Sequence, residues 1–151
     1  MTARDLTPIR GLSYGDMRRF ADSLGVAVCS RSLPGELEGF YHAPTNLIVI
    51  DRNMDYTMKR CTLTHELIHW SHGDSTCVPV IHTRIENRTR RETAALLVSP
   101  TDYALAETMY EGDVAHIAAE LNVTEQVIRD YQDLVLSNMA RAVEFVRITP
   151  R

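Results

Sequence analysis

Cysteine is scarce in this chain: 151 residues carry only Cys29, Cys61 and Cys77, far apart and odd in number. No pair has C-x-x-C spacing, so neither a disulfide scaffold nor a thioredoxin-type redox site is indicated, and a reduced cytoplasmic protein is the simplest reading. Cys77 stays open as a metal ligand, with a buried free thiol as the ordinary alternative. Long apolar runs are missing too, so no segment has the length to cross a membrane. The first residues, Met1-Thr2-Ala3-Arg4-Asp5, lack the apolar stretch of a secretion signal. Positive charge is not in excess. The net charge is −4 and the pI about 5.8, which leaves no overall electrostatic footprint for nucleic acid. Hydrophobic residues make up 44%, enough for a core, and the length suggests one domain or one domain with a small helical appendage.

What is present is His65-Glu66-Leu67-Ile68-His69, an H-E-x-x-H motif. On a helix, His65 and His69 lie one turn apart on the same face and can hold one zinc ion. Glu66 beside them can serve as the general base of metal-assisted hydrolysis. The surroundings favour a helix. Proline and glycine are absent from residues 55–72, Asp55 is a suitable N-cap, and Gly73 a suitable stop. Met58, Cys61, Leu63, Leu67, Ile68 and Trp70 form no single stripe, which describes a buried helix with one polar face. Buried His-Glu-His groups need compensation, and a metal supplies it. The bland alternative is two satisfied core histidines beside a surface glutamate.

The rest of the chain predicts an α+β fold: a small three-stranded sheet packed on the motif helix, then a mostly helical C-terminal half. Residues 14–24 read as a helix, with Met17, Phe20, Ala21 and Leu24 on one face. Residues 26–29, 37–41 and 47–50 read as strands; the last is continuous and β-branched, hence buried. Residues 72–82 read as a loop. Helices follow at 84–98, 101–110, 113–121 and 124–136, while 141–148 is ambiguous between helix and strand. The expected division is a catalytic domain over 1–110 and a helical extension over 111–151, packed on the same domain.

Two histidines do not complete a catalytic zinc site; a third protein ligand is needed. A histidine six residues after the second motif histidine is one solution, but Ser75 stands there. A glutamate from a following helix is another. Glu86 and Glu92 both qualify, with His82 as a weaker candidate, and periodicity does not separate the two glutamates. Either could instead pair with Arg88, Arg90 or Arg91 on its own helix.

The segment from Cys61 to His69 resembles the active-site helix of the ImmA/IrrE family of zinc metallopeptidases. The strand at 47–50, the Asp51-Arg52-Asn53 turn and Gly39-Phe40-Tyr41 fit the same layout. Downstream, the family has a glutamate followed by small residues three and seven positions on, a Leu-Leu pair and a proline. Glu86, Thr89, Thr93, Leu96-Leu97 and Pro100 match this register, with one residue extra before the proline; Glu92 does not. Two departures are Glu92, where a large apolar residue is usual, and Ile68, where glycine is common.

The resemblance implies a zincin-like fold. It also implies a zinc metalloendopeptidase with one Zn2+ per chain, held by His65, His69 and Glu86 in a gluzincin-like set, with Glu66 catalytic. It implies a cytoplasmic protein of phage or mobile-element type that cleaves a helix-turn-helix repressor. A further oxyanion or substrate donor is expected; His72, His82 and Tyr103 are candidates among which the sequence does not choose. The alternative is a non-catalytic antirepressor that keeps the zinc site and acts by protein binding.

Residues 117–128 have a helix-turn-helix outline, with Ala118, Leu121, Val123 and Val127 set to pack the two helices. The second helix carries Glu125, Asp130 and Asp133 against Arg129, so phosphates would be repelled. Packing or partner docking is the better expectation than DNA contact. Arg84, Arg88, Arg90 and Arg91 make the one dense basic patch, ordinarily a solvated helix face.

Overall fold

The computed structural model describes residues 4–74 and 79–148. Its order is α1 (Tyr14–Ser23), β1 (Ala27–Arg31), β2 (Gly39–His42), β3 (Leu47–Asp51), α2 (Tyr56–His72), α3 (Pro79–Leu97), α4 (Pro100–Met109), α5 (Val114–Leu121) and α6 (Glu125–Asp130). A π-helical turn, Tyr131–Leu136, then leads into α7 (Ser137–Ile148). The class is α+β, as the patterning predicts.

Among the described residues the three strands form one sheet in the order β1-β3-β2, so β2 lies at an edge. β1 runs parallel to β3, pairing Val28 with Ile48 and Ser30 with Ile50. β2 runs antiparallel to β3, pairing Phe40 with Val49. Strand β3 is central because Ile48, Val49 and Ile50 are all buried, and only a strand covered on both faces is apolar without alternation. One close approach needs glycine. A Cβ on Gly39 would lie 2.8 Å from the Val49 carbonyl oxygen and 2.9 Å from Thr62 Cγ2. The missing side chain lets β2 press against α2.

Helix α2 runs through the middle of the molecule. The Asp55 side chain accepts from the Met58 N–H at 2.8 Å, and Gly73 closes the other end in the left-handed region at φ 67°. Arg60, buried on α2, donates to the carbonyls of Leu12 at 2.9 Å, Arg10 at 2.6 Å and Asn122 at 3.0 Å. The core gathers around this helix: Ile9, Met17, Ile48, Ile50, Leu63, Leu67, Ala94, Ile117, Ile128 and Tyr131.

Two expectations are corrected. Residues 72–82 are not a loop throughout: α2 runs to His72, and α3 begins at Pro79, so His82 is helical. The ambiguous segment 141–148 is helix, because the backbone stays in right-handed helical geometry at both junctions of the π turn. Cys77 and Ser75 lie outside the described residues. Of the basic patch, Arg88 and Arg90 turn inward to Asp74 and Asp130, which leaves Arg84 and Arg91 at the surface.

Candidate metal centre

One turn of α2 sets His65 and His69 on the same side, and α3 brings Glu86 across to meet them. Glu86 Oε2 is 3.2 Å from His65 Nε2, and Glu86 Oε1 is 2.9 Å from His69 Nε2. The two Nε2 atoms are 3.1 Å apart, and the ligand atoms of all three residues lie within 4.8 Å of one another. Three Lewis bases that face one another this closely need a shared proton or a metal cation among them. Two imidazoles and a carboxylate are a donor set that fits a zinc-type divalent ion.

The surroundings reinforce that chemistry. His69 Nδ1 lies 2.8 Å from Asp74 Oδ2. A carboxylate only accepts, so Nδ1 carries a proton, and in the singly protonated ring Nε2 is the nitrogen left to ligate a metal. Hydrogen bonds from His65 and His69 hold the Glu86 carboxyl far below the ordinary carboxylate range. Burial works against a charged His69, yet its contacts with Glu86 and Asp74 prevail and raise its pKa. Burial pushes the Glu66 carboxyl upward, against the opposing effect of the two histidines. The Tyr41 backbone N–H donates to Glu66 and ties the general-base candidate to β2.

These groups open into a cleft of about 1110 Å³. The β2 edge with Leu37 and Phe40 forms one wall. Glu86, Arg90 and Thr93, on successive turns of α3, form another. Thr124, Gln126, Val127 and Asp130 of the helix-turn-helix-like unit close the far side. Ala118, Val123 and Val127 are buried where α5 and α6 meet, as their pattern predicts, and Leu121 is half-buried against the same core.

The family comparison agrees with this geometry. The model of the IrrE N-terminal-like domain, peptidase family M78, matches residues 21–130, well over half of the chain. The chain belongs to that family. Searches of curated proteins and of solved structures returned no match. This M78-type domain carries a zincin-like three-stranded sheet and a His-His-Glu group suited to a metal ion. None of its described helices is long and apolar enough to cross a membrane.

The other candidates lie apart from one another. His82 lines the cleft from the first turns of α3. His72 pairs with Glu92 through Nε2 and Oε2 at 2.8 Å, both about 37% exposed, outside the cleft-lining set. Glu92 therefore has a partner away from the metal group. Tyr103 is 4% exposed, packs on Tyr131 with centroids 4.8 Å apart, and accepts from Gln132 at 3.0 Å; it is a core residue.

Sequence reasoning missed Asp74, which contacts His69, and the Arg90–Asp130 pair, which joins α3 to the cleft wall on α6. The available signal for Asp74 was an acidic residue directly after the helix-ending glycine, within reach of a motif histidine.

Proposed function

We propose that this domain is a zinc-dependent endopeptidase that acts in the cytoplasm and cuts a specific helix-turn-helix repressor of a phage or mobile element. The observation that carries the hydrolytic reading is the convergence of His65, His69 and Glu86 at one wall of a cleft that also holds Glu66. A zinc ion held by those three residues would polarise the scissile carbonyl and acidify a water molecule. Glu66 accepts the proton of the attacking water and returns it to the departing amine, so the amide is cleaved with no net proton change. The outer edge of β2 lies along the cleft, where an extended peptide can pair with its main chain.

A repressor as substrate rests on the resemblance to ImmA/IrrE proteins. Glu36, Glu38 and Glu125 along the cleft suit a basic, DNA-binding partner. The test is to incubate a bacterial extract that contains the cognate element with zinc-loaded protein, then sequence new protein N-termini. New termini in a helix-turn-helix protein, absent with Glu66→Gln, are expected. No new termini with the zinc-loaded wild type would overturn the reading.

A further inference from the structure

We infer that the C-terminal cap of α2 is part of the metal centre, with Asp74 a positioning residue that orients His69 and ties it to the helix bearing Glu86. The inference rests on the proposed metal site and concerns how that site is held. Gly73, in the left-handed region at φ 67°, turns the chain back so that the Asp74 N–H donates to the His69 carbonyl at 3.1 Å. The Asp74 side chain then receives the His69 Nδ1 proton at 2.8 Å. Residue 74 therefore grips residue 69 by backbone and by side chain, and the imidazole ring is fixed in both tautomer and rotation.

The same oxygen, Asp74 Oδ2, accepts from Arg88. Arg88 stands two residues from Glu86 on α3. The Asp74 side chain is only 12% exposed, and a carboxylate so enclosed needs partners. Its partners are one metal ligand and one arginine from the helix that supplies another. The Arg88–Asp74–His69 series thus joins the two helices whose side chains make up the ligand set. A cap that served only to end the helix would need Gly73 and the backbone bond but no half-buried carboxylate.

The test is zinc affinity by competition with a fluorescent chelator, beside the visible spectrum of the cobalt-substituted protein and the circular dichroism and melting of the metal-free protein. Asp74→Asn removes the charge at nearly constant shape. It is expected to weaken zinc binding about ten- to a hundredfold and to alter the cobalt spectrum, with the metal-free fold retained. Arg88→Gln leaves Asp74 in place and is expected to weaken zinc binding by less. Zinc affinity in Asp74→Asn within twofold of wild type would overturn the inference and leave the metal site standing. So would an unfolded Asp74→Asn combined with unaltered affinity in Arg88→Gln. A wild type that takes up no zinc would overturn the metal-centre reading itself.

Discussion

Arg60 and Asn122 are 62 residues apart in sequence, yet the Arg60 guanidinium donates to the Asn122 carbonyl at 3.0 Å. Asn122 is the left-handed cap of α5, the hinge of the helix-turn-helix-like unit. The next residues, beginning with Thr124, line the cleft. One buried arginine on the motif helix therefore sets the wall opposite the strands. Thr57 reinforces it by donating to the Asn122 side chain at 2.7 Å.

Arg60→Met should destabilise the protein by about 2–4 kcal/mol, because three carbonyls lose a charged donor at once. Equilibrium urea unfolding reads this directly. A change below half a kcal/mol would show that the three bonds are replaced by water at no cost.

Glu66→Gln should retain metal and lose peptide hydrolysis by about 10²–10⁴-fold, the usual contribution of a positioned acid–base group. Elemental analysis and a cleavage assay on the same preparation separate the two effects. Retained cleavage would remove Glu66 from the acid–base role, whereas relief of repression that survives in Glu66→Gln without any cleavage would point to the non-catalytic antirepressor.

Glu86→Ala should lose zinc, whereas Glu92→Ala should keep it, since Glu92 is paired with His72. At a zinc concentration a thousandfold above Kd, binding adds about 4 kcal/mol to the folded state. Wild type and Glu92→Ala should therefore melt roughly 10 °C higher with zinc than with chelator, and Glu86→Ala should not.

Gly39→Ala should cost about 1–3 kcal/mol, because the new methyl group meets a backbone oxygen on β3 as well as Thr62. Thermal melting checks the cost. Because the ligand set His65, His69 and Glu86 lies on α2 and α3 and not on β2, zinc affinity should be less affected than stability.

Burial pushes the Cys61 thiol above its ordinary value, against smaller opposing effects from Thr124 and Arg60. The native state thus holds the thiol proton more tightly than the unfolded chain does. The stabilisation is complete below the ordinary thiol pKa of 9.0 and is lost as pH rises from there through the native value. Unfolding midpoints measured from pH 8 to 11 should fall more steeply for wild type than for Cys61→Ala. Parallel slopes would assign the fall to other groups.

Local pattern was enough for much of this protein. The H-E-x-x-H spacing, Asp55 and Gly73 specify a capped helix with two histidines on one side, because helix geometry depends only on neighbours a few residues away. Ile48, Val49 and Ile50 announce a buried strand for the same reason. Glu86 was legible through a family register; periodicity alone left it level with Glu92. Tertiary packing placed Glu86 against both imidazoles and turned Glu92 toward His72. It also drew Asp74 and Arg88 into one half-buried series, and made α6 a wall of the cleft. Those outcomes depend on how α2, α3 and the C-terminal helices cross, and contacts between side chains on different elements leave no period in the sequence from which they could be read.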